Sequence, residues 1–169
     1  MLKPSNPSEL LGIKERGIVR LSTKGRYGMR AMLALARRYG EGPVPLKEVA
    51  ETESLSESYL EQLVSELRKA GLIRSVRGAQ GGYYLAKEPS IITAGDIIRV
   101  LEGPIGPVQC VVDLPGIDIC DCAESCVERL LWQRLRDSMA QVLDSITLAD
   151  LMAEEKKLGP IQDTGDRSC

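Results

Sequence analysis

Apolar positions along the chain change their spacing several times, and each change marks an element. In SESYLEQLVSELRKAG, Leu60, Leu63, Val64 and Leu67 recur at i, i+3, i+4 and i+7, the buried stripe of a helix. Ser54 or Ser56 is placed to cap that helix, Glu57 stands three residues after Ser54 as in a capping box, and Gly71 closes it. Just upstream, Pro45 fits the first position of a shorter helix, with Leu46, Val49 and Ala50 facing inward. Downstream, Leu72–Val76 and Tyr83–Leu85 are β-prone runs. The stretch between them, Arg77-Gly78-Ala79-Gln80-Gly81-Gly82, is too rich in glycine for helix. Residues 46–69 therefore read as a helix-turn-helix and 72–86 as a wing, a shape used to read duplex DNA.

The flanks follow the same logic. Ser22 caps a predicted helix over Thr23–Tyr39, with Met32, Leu35, Ala36 and Tyr39 at apolar spacing and Gly40 as the stop. Thr93 caps another over Ala94–Glu102, with Asp96 three residues on and Ile97, Val100 and Leu101 inward. From Pro104 to Ser125 no period survives, and a loop that long is functional or disordered. Val127, Leu130, Leu131, Leu135, Met139, Val142, Leu143 and Ile146 then mark one long amphipathic helix, before a short last one over Thr147–Ala153. The long helix carries more apolar surface than one small winged domain covers. A second copy of the same helix is the economical cover, with packing onto its own domain as the alternative. The expected fold is mainly α with a small β wing. It comprises a poorly ordered leader (1–19), a winged helix-turn-helix domain (20–103), a cysteine-bearing loop (104–126), a dimerisation helix with the last helix (127–157) and a polar tail (158–169).

On the second helix of the pair, Glu57, Ser58, Glu61, Gln62, Ser65, Arg68 and Lys69 are left facing out, and Ser58, Glu61 and Gln62 near its start suit base edges. A glycine tip at Gly78 lets backbone approach a phosphate, and Arg77 at its base suits a narrow minor groove. Lys24, Arg26 and Arg30 crowd the first turns of the first helix, where cations oppose the macrodipole. Phosphate contact and simple solvation both account for them. Helix pairs and glycine-tipped hairpins also occur in domains that bind no DNA. It is the two together that point to a double-stranded DNA partner.

Composition changes the picture in three places. With 169 residues, 43% of them hydrophobic, no Phe and one Trp, the core must be Leu, Ile, Val, Ala and Met. The net charge of −2 does not announce a nucleic-acid binder, but residues 1–103 hold 16 Lys+Arg against 12 Asp+Glu, and residues 104–169 hold 6 against 12. A basic front and an acidic back fit a DNA module joined to a different task. No apolar run has the length of a membrane span and the first residues lack a signal peptide's core, so a cytoplasmic protein is expected. The absence of His, of a nucleophile elbow and of a phosphate loop argues against an enzyme.

Five cysteines complete the inventory, four of them in the run Cys110-x9-Cys120-x-Cys122-x3-Cys126. In a reducing compartment such a cluster binds metal or senses redox sooner than it forms structural disulfides. Thiolates are soft ligands for iron–sulfur clusters or zinc, although the paired C-x2-C spacing of zinc sites is missing. Cys126, next to a helix N-terminus, gains thiolate character from the dipole. A reversible Cys120–Cys122 or Cys110–Cys126 disulfide and simple space filling remain open. Cys169 is assigned no role.

The motifs RLSTKGRYG, LSESYLEQLVSELRKAGL, SVRGAQGGYYL and LWQRLRDSM together resemble the IscR family of iron–sulfur-cluster-dependent transcription regulators, from about Arg20 to Met152. The resemblance implies a homodimer and a labile 2Fe–2S cluster that tunes operator choice in iron–sulfur biogenesis. By position it gives Ser58 and Gln62 as base readers, Glu61 as discriminator between operators, Arg77 as the minor-groove arginine, and Cys110, Cys120 and Cys126 as ligands. The family's fourth ligand is a histidine three residues after the last cysteine, where this chain has Arg129, whose guanidinium cannot ligate. Cys122, a carboxylate such as Glu124 or Glu128, or an exogenous ligand is left for the fourth position, with Cys122 preferred. TAGDIIRVLEGPIGPV and LDSITLADL are also similar to CymR-type regulators, cluster-free repressors of cysteine metabolism that work through a partner enzyme. That second resemblance implies a sulfur-metabolism enzyme as partner and the cysteines as a thiol switch.

Overall fold

The structure, a computed structural model, describes residues 22–78, 80–112 and 125–158. The leader expected over 1–19, the polar tail beyond Leu158, and Cys120, Cys122 and Cys169 lie outside the described residues. Helices α1 (Thr23–Arg37), α2 (Leu46–Glu53) and α3 (Glu57–Lys69) precede a hairpin of β1 (Ile73–Val76) and β2 (Gly82–Leu85). Helix α4 (Ala94–Glu102), a 3-10 turn over Gln109–Val111, α5 (Val127–Ser145) and α6 (Leu148–Leu158) follow. The fold is thus mainly helical with one small sheet, as the periodicities predict.

The core lies where the inward stripes of α1, α2, α3 and α4 meet. Met32, Leu60, Leu63, Leu67, Ile73, Ile92, Ile97 and Leu148 are fully enclosed there. All four stripe residues named for α3 are buried, and Thr93 and Asp96 form the reciprocal capping box at the start of α4. The hairpin is antiparallel, with Ile73 opposite Leu85 and Val76 opposite Gly82. It is fastened to the α1–α2 loop as well. Val44 and Tyr83 exchange both backbone hydrogen bonds at 2.9 Å. Gly82 makes this possible, because a Cβ there would lie 2.3 Å from the Val44 carbonyl oxygen.

Several ends differ from expectation for local reasons. Ser54 does not cap α3. It adopts the left-handed conformation (φ 52°) at the C-cap of α2, and Ser56 Oγ instead accepts from the Tyr59 N–H at 3.2 Å. Pro45 is the N-cap of α2 rather than its first helical residue. Helix α1 ends at Arg37, leaving Tyr39 exposed, with Gly40 at φ 87°. The last helix begins at Leu148 and runs on to Leu158. Thr147 prepares it, its Oγ1 accepting from the Asp150 N–H at 3.1 Å while the Asp150 carboxylate accepts from the Thr147 N–H at 2.9 Å.

The two C-terminal helices behave differently. Helix α6 returns to the first domain and packs on α1, with Leu148 in the core and Leu151 and Met152 against it. Helix α5 has no buried residue. It is held at its far end by the Arg99–Asp144 pair, a two-pronged contact at 2.6 and 2.7 Å, and near its start by the 3-10 turn. Val127, Leu130, Leu131 and Val142 are each more than half exposed. Packing onto its own domain, the alternative weighed from the sequence, is partial among the described residues: α5 touches α4 and the 3-10 turn and half-buries Met139, Leu143 and Ile146, while those four residues stay open. No helix there is long and apolar enough to cross a membrane.

Candidate nucleic-acid interface

Helix α3 is amphipathic in the manner its sequence predicts, so burying Leu60, Leu63, Val64 and Leu67 turns a polar edge to solvent. Ser58, Glu61 and Gln62 are all exposed on that edge, as are Arg68 and Lys69. The sign of charge along the helix follows the macrodipole, Glu57 in the first turn and Arg68 and Lys69 in the last. Glu61 is the unusual member. A carboxylate accepts hydrogen bonds only, so it favours cytosine N4 or adenine N6 and repels phosphate.

The wing follows after one short turn. Arg68 Nη1 donates to Ser75 Oγ at 3.5 Å, linking the last turn of α3 to β1. Arg77 and Gly78 are exposed at the end of β1, and Gly78 takes φ 119°, a conformation that favours glycine. Its carbonyl accepts from the Gly81 N–H at 2.9 Å, which closes the tip. Arg74 and Lys87 are also exposed, so the hairpin carries cations beside the acidic start of α3.

The cations of α1 resolve into separate roles. Lys24 Nζ lies 2.7 Å from Glu66 of α3, so an acid of the neighbouring helix compensates it. Arg26 is exposed. Arg30 turns inward. The N-terminus of α1 already has its anion: the Glu102 carboxylate of α4 accepts from the Gly25 N–H at 2.8 Å and the Ser22 N–H at 3.1 Å. Between the starts of α1 and α3, Thr23, Tyr27, Ser54, Leu55, Ser56 and Tyr59 line a shallow cleft of about 350 Å³. Its floor is stiffened by edge-to-face packing of Tyr27 on Tyr59, centroids 5.9 Å apart.

Glu53, which sequence reasoning did not single out, is the buried charged residue among those described. It accepts from Arg30 Nε at 3.1 Å and from Arg37 Nη1 at 2.9 Å, and Arg30 Nη2 also donates to its backbone carbonyl. The spacing of Arg30 and Arg37, seven residues apart on one helix face, is the only local signal that could have suggested a shared acid.

The cysteines divide between placed and unplaced. Cys110 lies half-buried in the 3-10 turn and Cys126 half-buried at the N-cap of α5, both as free thiols. Arg129 joins them. Its N–H donates to the Cys126 carbonyl at 3.2 Å and its Nε to the Cys110 carbonyl at 3.3 Å. Arg136 Nη1 donates to the Val111 carbonyl at 2.6 Å. Where the resembling family has a ligating histidine, this chain therefore has a cation that pins the Cys110 turn to α5. No group of three or more metal-binding side chains is assembled among the described residues. Of the four-thiol set, the structure places two, and their soft donor chemistry is compatible with iron–sulfur ligation.

Comparison with known proteins agrees with this architecture. The Rrf2 family, described as "Iron-dependent Transcriptional regulator", matches residues 21–154. The HTH-type transcriptional regulator CymR of Bacillus subtilis is 56% identical over 133 residues, covering 79% of this chain and 89% of that protein. Its structure, described as that of the global cysteine regulator, superposes with a TM-score of 0.67 over 81% of this chain and 98% of that one. T. potens IscR superposes equally well, TM-score 0.67 at 49% identity, covering 85% of this chain and 93% of that one.

Proposed function

Since the chain belongs to the Rrf2 family of transcriptional regulators, and binds DNA rather than catalysing a reaction, we propose that it represses genes of cysteine and sulfur metabolism. The observation that carries this gene class is the 56% identity to CymR over 133 residues, 79% of this chain and 89% of that protein. In this reading α3 enters a major groove with Ser58, Glu61 and Gln62 at base edges, and Arg77 and Gly78 follow the sugar–phosphate path into the adjoining minor groove. Lys24 and Arg26 flank the backbone. Lys24 exchanges Glu66 for a phosphate at little cost, because its ion pair is partly solvated. Two copies pair through the uncovered face of α5, which places two α3 helices on a two-fold operator. The protein acts in the cytoplasm, and the resemblance to CymR makes a sulfur-metabolism enzyme its protein partner.

A second reading is favoured by one feature, the four-cysteine segment. There Cys110, Cys120, Cys122 and Cys126 hold a 2Fe–2S cluster, and operators of iron–sulfur biogenesis are the targets. When bound, such a cluster supplies a redox-labile group sensitive to oxidant and iron supply. The chain's own contribution is to tie the Cys110 turn to α5 through Arg129 and Arg136, so that a change in the segment is felt at that helix.

Anaerobic purification followed by iron and sulfide analysis separates the two readings, combined with binding to promoter fragments of both gene classes. A colourless dimer that prefers sulfur-metabolism promoters supports the first. Stoichiometric iron and sulfide, lost in Cys110→Ala, moves the assignment to the second. Equal binding to promoter and random duplex removes both.

A further inference from the structure

A charged path joins the helix-turn-helix to the last helix. Glu53 ends α2 immediately before the left-handed Ser54 that turns the chain into α3. Arg37 donates to it from Nη1, and the other edge of the same guanidinium donates to Glu155 of α6, from Nε at 2.9 Å and from Nη2 at 2.5 Å. Arg37 is thus shared between the helix-turn-helix and the last helix. A planar fork with donors on two edges can serve two acids at once, which a lysine ammonium cannot match in geometry. The electrostatics agree: the bonded Glu155 carboxylate holds the Arg37 guanidinium above its ordinary pKa, and Arg37 holds Glu155 below the usual carboxylate range.

The far end of the path is mechanically connected. Only Ile146 and Thr147 separate α5 from α6. The Ile146 carbonyl accepts from the Ala94 N–H at 2.8 Å, and the Leu148 N–H donates to the Ile92 carbonyl at 3.0 Å. The joint between the uncovered helix and α6 is therefore fixed to the domain that carries α3, and Glu155 stands two turns beyond it.

We infer that Arg37 is a positioning residue for DNA recognition. By holding Glu53 and Glu155 together it sets how the turn before α3 is presented, and it ties that setting to the α5–α6 pair. The inference rests on the DNA-binding reading but on neither choice of gene class.

The test uses the full chain and a duplex selected by the wild-type protein from a random pool. Glu155→Gln removes the charge and one of the two acceptors at the α6 end of the path while leaving the Arg37–Glu53 contact in place. Because Glu155 is about one-third exposed, the variant folds with little change in melting temperature. Affinity for the selected duplex should fall about threefold, within what a partly exposed ion pair transmits. Affinity for random duplex and the slope of binding against salt should not move, since phosphate contacts are untouched. In Glu53→Gln/Glu155→Gln, the second substitution should add nothing to the selectivity already lost in Glu53→Gln. Wild-type selectivity in Glu155→Gln, equal losses on both duplexes, or additive losses in the double variant would overturn the inference. A wild-type protein that selects no sequence would remove the functional reading, and this inference with it.

Discussion

Replacing Glu53 by glutamine should cost the protein about 2 kcal/mol, a value that follows from the surroundings of its carboxylate. Two guanidinium groups donate to it, and a hydrogen bond to a charged group contributes about 1.5–3 kcal/mol. The glutamine oxygen can accept from one arginine, but its NH2 then faces the other, donor against donor. The loss stays below the roughly 3–5 kcal/mol of breaking a fully enclosed pair. Arg30 and Arg37 are 31% and 35% exposed and can turn to water, and Arg37 keeps Glu155. A further part is returned because an acid at a helix C-terminus is disfavoured by about 0.3–1 kcal/mol. For a chain of this size, 1 kcal/mol corresponds to about 2–4 °C, so the melting temperature should fall about 4–8 °C. Circular-dichroism melts at matched protein concentration measure it, since a dimer's midpoint depends on concentration. Repeating them at high salt should leave the difference in place, because a buried contact is weakly screened. A Glu53→Gln variant melting within about 1 °C of wild type would show that the carboxylate's charge does not hold α2 to α1.

Three further outcomes are expected. Arg77→Ala should weaken binding to a selected duplex by about 1–3 kcal/mol in a fluorescence-anisotropy titration, and unchanged affinity would argue against wing contact. Leu131→Glu, on the uncovered face of α5, should convert a dimer to monomers in sedimentation and abolish operator binding while the winged domain melts normally, because α5 contributes nothing to its core. The Asp144 carboxylate is held below the usual range by its hydrogen bond from Arg99, and Glu155 by that from Arg37. These carboxylates release protons more readily folded than unfolded. Their contribution is therefore complete above the ordinary carboxylate range and lost as pH falls through the folded values, so melting temperature should drop between about pH 5 and pH 2. Asp144→Asn should flatten that drop, and an equally steep curve would exclude the pair as a contributor.

The sequence alone determined what depends on neighbours a few residues away. The stripe Leu60–Leu67, the Thr93–Asp96 capping box, the glycine-rich hairpin and the apolar run of α5 are all local periods or local caps, and each stands where it was expected. The outward edge of α3, with Ser58, Glu61 and Gln62, follows from the same stripe. Tertiary structure decided whatever depends on distant partners. Ser54 and Ser56 compete for one cap on equal local terms, and the turn between α2 and α3 assigns it to Ser56. Glu102 reaches the start of α1 across 77 residues of sequence, and Glu155 reaches Arg37 across 118. Such partners leave no periodic trace, so the compensation of Lys24 by Glu66 and the bond from Arg129 to the Cys110 turn could not be read in advance, and the spacing of Arg30 and Arg37 could hint at a shared acid without naming Glu53. Periodicity reports which face of an element avoids water. It is packing that chooses which charge meets which, and that choice joins α2 to α6 through Arg37.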